Sequence, residues 1–168
     1  MMTEFRFMRG LVLAALVLIS AACEPEPLVV PTASQVRAYY TSDAITEVEM
    51  SGNVAVLTVR QSAAQLRRGG SLWARVGPYI YLFTAPTQRA FRDYNGLAGI
   101  RVVTRVGNAE VARALLRRDA LNDITWKRAL NVNGLARRDG SERPSLIEDL
   151  IRWGEDHTDF EYNPRYRR

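Results

Sequence analysis

The chain has one histidine and one cysteine, so any chemistry that needs an imidazole or a thiol has a single address for each. His157 follows Trp153 by one helical turn and has Asp156 and Asp159 beside it, the setting of a general base with a nearby acid. A histidine that simply ends a helix near its negative pole has the same spacing. One histidine and one cysteine do not make the His/Cys set that holds zinc, so neither a metal nor a cofactor is expected. No Gly-x-Ser-x-Gly elbow, phosphate loop or dinucleotide fingerprint occurs. Glu148, Asp149, Glu155, Asp156, Asp159 and Glu161 lie among arginines without paired spacing. They read as a salt-linked polar surface rather than as a carboxylate pair.

Cys23 has a context of its own. Arg6 and Arg9 lead into the apolar run Leu11–Ala22, which ends on the small residues Ser20, Ala21 and Ala22 immediately before the cysteine. A charged start, an apolar middle and a small-residue cut site are the parts of a secretory signal peptide. The run is shorter than the roughly 20 residues that span a bilayer as a helix. The junction Ile19-Ser20-Ala21-Ala22-Cys23 resembles the lipobox of bacterial lipoproteins, with Ser20 where leucine is commonest. That resemblance implies a diacylglyceryl group on the Cys23 thiol, cleavage before it, and a mature chain that starts there. It also implies a protein held on a membrane and facing the periplasm. Glu24, next to the cysteine, is a weaker form of the inner-membrane retention signal than aspartate, so inner and outer membrane both stay open. An ordinary signal peptide cut at the same bond also fits the small residues, but it leaves the placement of the sole cysteine at the junction unexplained.

Residues 1–22 are therefore read as signal peptide and residues 23–31 as a lipidated cysteine with an extended, proline-rich tether. Such a tether rises about 3.1 Å per residue, or some 25 Å in all. Residues 32–168 form a single domain that ends in a frayed basic tail. The formal net charge is +5, and Lys127 is the only basic residue that is not arginine. One basic cluster joins Arg113, Arg117 and Arg118 to Lys127 and Arg128, and a second runs from Arg137 and Arg138 to Arg165, Arg167 and Arg168. An exported basic surface suits anionic headgroups, an acidic cell-wall polymer or an envelope protein, at roughly 1 kcal/mol per arginine near a membrane. Solvated helix faces carry similar charge patterns. Nucleic acid is not an expected partner outside the cytoplasm.

The elements that position these groups follow from periodicity. A short helix spans Ala33 to Thr41, capped by Thr32 or Ser34. Ala44–Met50 and Val54–Arg60 flank Ser51-Gly52-Asn53 as a hairpin, with Thr46, Val48 and Met50 on one face and Glu47 and Glu49 on a wet one. Gln61–Arg68 reads as helical turns ended by Gly69-Gly70, followed by two buried strands, Leu72–Val76 and Tyr79–Thr84, the second with Tyr79, Tyr81 and Phe83 in a row. A helix over Thr87–Tyr94 precedes a strand over Ile100–Val106 that puts Arg101 and Arg105 on one side. Helices then span Ala109–Arg118, capped by Asn108, Asn122–Asn133, and Pro144–Glu155, the last with Leu146, Leu150 and Trp153 on its core stripe. The fold class is α+β, a small mainly antiparallel sheet of about four strands with C-terminal helices packed on one face. This suits a non-enzymatic binding or structural component of the envelope; the alternative is a lipid-anchored hydrolase acting on cell-wall or lipid substrates through His157. Cys23→Ser is expected to yield a soluble periplasmic species or an uncleaved precursor. Wild type should incorporate labelled palmitate and accumulate as precursor when lipoprotein signal peptidase is inhibited. A soluble wild type with a free N-terminal thiol would overturn the anchor.

Overall fold

The computed structural model describes residues 26–166. The segment read as a signal peptide, Cys23, Arg167 and Arg168 lie outside the described residues. The fold is α+β, with helices packed against one face of a five-stranded sheet whose order follows the chain, β1 to β5. After a helix α1 at Ala33–Arg37 come β1 at Ile45–Ser51, β2 at Val54–Arg60, and helices α2 at Ala63–Leu82 and α3 at Ala85–Asp93. Then follow β3 at Gly99–Val106, β4 at Ala109–Arg117, α4 at Asp123–Asp139, α5 at Pro144–His157 and β5 at Asp159–Tyr162.

The sheet consists of two hairpins joined in parallel, with β5 added at one edge. β1–β2 and β3–β4 are antiparallel, while β2 and β3 pair in parallel from Val54↔Gly99 to Arg60↔Arg105. A parallel pair needs a long crossover, which α2 and α3 supply. The two hairpin turns are alike. Gly52-Asn53 and Gly107-Asn108 each bridge the paired strands, and each glycine has positive φ, 60° and 56°. Glycine at the first of two central positions is the signature of the turn that matches strand twist.

The expected helix over Ala109–Arg118 is therefore the strand β4. Alanine, leucine and arginine favour helix intrinsically, but that preference is small beside burial. In the sheet, Ala112, Ala114 and Leu116 are buried while Arg113 and Arg117 stay exposed, an alternation of period two. The opposite correction applies to Leu72–Val76 and Tyr79–Thr84, which are not strands: α2 runs through Leu82, with Thr84 as the N-cap of α3. Gly69-Gly70 does end the first helical turns, as expected, since Gly70 has φ 57° and ψ −144° and a second helical segment continues beyond this kink to Leu82. The stretch is apolar all round because α2 is covered on two sides, by β3 and β4 on one and by α5 on another. Its late carbonyls at Ile80 and Phe83 accept from Asn133 Nδ2 at 3.2 and 2.7 Å. The aromatic row breaks accordingly. Tyr79 and Phe83 stack at 6.1 Å inside the core, and Tyr81 is left half-buried on another side of the helix.

Helix α5 turns Ile147, Leu150, Ile151 and Gly154 inward, so of the expected stripe only Leu150 is fully buried. A Cβ on Gly154 would strike the Tyr79 ring, which sets the close approach of α5 to α2. Strand β5 was not expected, because four residues show too little alternation to be read alone. It pairs antiparallel with β4 from Leu115↔Asp159 to Ala112↔Tyr162. Tyr162 ties it inward: its hydroxyl donates to Glu155 at 2.9 Å and accepts from Tyr79 at 2.6 Å, while Arg75 holds Glu155 at 2.5 Å.

The proline-rich segment is no free tether over its second half. The Val29 N–H donates to Asn95 Oδ1 at 2.6 Å, Asn95 Nδ2 donates to the Pro27 carbonyl at 3.2 Å, and the Gly96 N–H to the Val29 carbonyl at 2.9 Å. Pro31 is buried. Residues 27–31 thus belong to the folded body.

Burial raises the pKa of the Tyr79 hydroxyl to about 12 and pushes that of Tyr162 up as well. A tyrosine ionises near 10 in the unfolded chain, so the stability these groups contribute is complete below pH 10 and is lost as pH rises towards 12. Alkaline titration followed by tyrosinate absorbance and circular dichroism should show these two rings ionising only together with unfolding.

Candidate functional site

With the helices gathered on one side, the other face of the sheet is open. In β2 and β3 every second residue is buried, and the residues between, Val56, Thr58, Arg101 and Val103 among them, are only half-buried. The register sets the neighbours on this face. Arg101 lies beside Leu115, Val103 beside Arg113, and Gly99 beside Arg117, while β5 brings Asp159 next to Leu115 and Glu161 next to Arg113. The result is a groove of about 480 Å³ whose walls include Arg101, Arg113, Leu115, Arg117, Asp159 and Glu161.

Two of its three arginines have partners. Arg113 pairs with Glu161, which raises the pKa of the guanidinium, and has Glu110 at 3.7 Å. Arg117 donates to one oxygen of Asp159 from Nε at 3.0 Å and from Nη2 at 2.8 Å. Among the described residues no carboxylate pairs with Arg101. Exposed pairs of this kind contribute only about 0.2–1 kcal/mol each. A carboxylate or phosphate entering the groove can therefore exchange with Asp159 or Glu161 at small cost and meet an arginine fork. Leu115 and Val103 supply apolar floor between the charges.

The remaining basic residues go elsewhere. Arg118 is spent inside the fold: its Nε donates to the Leu97 carbonyl at 2.8 Å, its Nη2 to the Tyr94 carbonyl, and its guanidinium lies 5.5 Å from the centre of the Phe91 ring. Burial lowers its pKa. Arg137 and Arg138 occupy the last turn of α4, where Arg138 and Arg143 both hold Asp139 and together lower the pKa of that carboxyl. Arg128 lies 5.0 Å from the centre of the Trp153 ring. Arg165 stands exposed in the turn Pro164–Tyr166 after β5. The expected clusters thus separate, and only Arg113 and Arg117 share the open face. Arg101, which joins them, was placed with Arg105 on one side of its strand but not among the binding residues. The signal that would have found it is the Gly107-Asn108 turn, which aligns β3 with β4.

His157 stacks on Trp153 at 4.0 Å and its Nδ1 donates to the Trp153 carbonyl at 2.8 Å, so Nε2 is the ring nitrogen outside that bond. It lines a hollow of about 250 Å³ with Asp156, Thr158 and Asp159. That hollow shares Leu115, Arg117 and Asp159 with the groove, so the two adjoin. Among the described residues, no three His, Cys, Asp or Glu side chains gather to hold a metal, and no helix is long and apolar enough to cross a membrane.

Comparison of the chain with known protein families, with curated proteins and with solved structures gives no match. The geometry alone distinguishes the two kinds of arginine. Arg118→Ala removes the donor from two carbonyls in the 94–98 loop and is expected to cost about 1–3 kcal/mol in urea denaturation. Arg101→Ala should change stability by no more than about 0.5 kcal/mol.

Proposed function

We propose that the protein is a lipid-anchored component of the bacterial envelope that faces the periplasm and works by binding. Its binding surface is the open face of the sheet, and the ligand it suits is anionic. The observation that carries this reading is the groove in which Arg101, Arg113 and Arg117 surround Leu115 without a covering helix. A half-buried sheet face with aliphatic floor and exchangeable ion pairs can receive a partner without rearranging the core. Export and anchoring come from the sequence around Cys23, and they place the groove among acidic polymers, headgroups and envelope proteins.

A hydrolase is the second reading, favoured by one feature. His157 is held through Nδ1 by the Trp153 carbonyl, so its Nε2 is the nitrogen that could act as a general base, and the hollow it lines adjoins the groove. His157→Ala would abolish such an activity and leave binding intact.

A photo-crosslinking residue at Val103, on the floor of the open face, is expected to capture an envelope component in living cells. A control at Glu148, exposed on α5, should not capture it. The Val103 adduct should weaken at high salt and disappear when Arg101 and Arg117 are both changed to glutamine. An adduct that survives both treatments would remove the arginine groove from the binding surface.

A further inference from the structure

The membrane side of the domain is legible in the segment after the anchor. Leu28, Val29 and Val30 are 75%, 51% and 46% exposed, and they make up three of the five exposed large apolar side chains among the described residues. They are consecutive. They are also fixed in place, because Asn95 and Gly96 bond the backbone of Pro27 and Val29. A mobile tail can fold apolar groups away from water, but a docked one has no such freedom. Three aliphatic side chains held outward are a feature that needs a partner.

From this we infer that Leu28, Val29 and Val30 lie against the lipid bilayer that carries the protein, so that the domain stands on its membrane rather than floating above it. The inference rests on the lipidated Cys23 of the proposed function. Four residues lie between Cys23 and Leu28, so five residue steps give a reach of about 17 Å at full extension. The headgroup layer takes up roughly 5–7 Å of that. With an acylated cysteine at the base of this layer, an arm of only about 10–12 Å remains above it, which keeps the docked segment beside the membrane surface and within reach of it. Apolar side chains at that height partition into the boundary between headgroups and acyl chains, as those of interfacial segments do.

The same contacts give the orientation. Gly96 bonds Val29, Ala98 bonds both the Asn53 carbonyl and the Arg118 N–H, and Gly99 opens β3 opposite Arg117. The docked segment is therefore at the end of the sheet where β2 and β3 begin and β4 finishes. Arg117 is at that end too, where anionic headgroups complement it. The Gly107-Asn108 turn is at the opposite end. The open face consequently stands side-on to the bilayer, with its groove facing the periplasm.

Site-directed spin labelling of the full-length protein in vesicles of phosphatidylethanolamine and phosphatidylglycerol tests this. Leu28→Cys and Asn108→Cys each add one reactive thiol at an exposed position, while a lipidated Cys23 does not react. The ratio of collisions with oxygen to collisions with a water-soluble nickel chelate should be severalfold higher at position 28 than at position 108. Wild type should take up no label. If wild type labels at Cys23, the anchor is absent and the inference falls with it. If wild type is inert but position 28 collides with nickel as freely as position 108, the anchor stands and the membrane contact is overturned.

Discussion

Tyr162 is gripped from both sides, and the edge of the sheet depends on that grip. Its hydroxyl sits between Tyr79 of α2 and Glu155 of α5, Arg75 closes on the same carboxylate, and the Arg75 guanidinium lies 5.5 Å from the centre of the Tyr162 ring. β5 has four residues and one neighbouring strand, too little to stay paired on ladder bonds alone. Removing one member of the network would leave a carboxylate and a hydroxyl short of partners in a mostly buried place, where each unmade bond costs about 1–3 kcal/mol. The knot also reaches the open face. β5 carries Asp159 and Glu161, the two carboxylates that hold Arg117 and Arg113, so the tyrosine inside the sheet sets the charge pattern outside it.

How far the fold could be read from residue order depended on whether the deciding contact was local. The Ser51-Gly52-Asn53 turn, the cap at Thr32, the start of α4 beside Asn122 and the proline start of α5 were legible, because each is decided within a few residues. The stretch Leu72–Thr84 was not, since an apolar run bounded by glycine and proline looks the same whether it is a buried strand or a buried helix. Ala109–Arg117 misled in the other direction. Its helix formers are overruled by the place between β3 and β5, which no local pattern reveals. The docking of Pro27–Pro31 depends on Asn95, a residue sixty-six positions from Val29. Fold class survived these exchanges because two strands were lost and two gained.

Arginine content told little; arginine placement told more. Arg117 and Arg118 are adjacent in the chain and opposite in role, the first on the open face and the second buried against backbone carbonyls. β4 ends at Arg117 and Arg118 opens the short turn that follows, so this pair of like charges is divided where the strand stops. Period-two counting along Ile100–Val106 put Arg101 on the outer face. What remained hidden was its neighbour, because the helix expected at β4 left that face without Leu115, Arg113 and Arg117.

The two Gly-Asn hairpins have a consequence for the order in which the domain assembles. Each hairpin closes through contacts a few residues apart, the kind that form in roughly microseconds. The seam between β2 and β3 joins residues separated by the whole of α2 and α3, and its closure carries the entropy of that loop. The sheet is therefore two quickly made halves waiting on one slow junction. Until α2 lies down across β3 and β4, the inner edges of both halves offer unpaired backbone to any other chain nearby. For this chain, the hazardous interval is the time it takes to close the middle of the sheet.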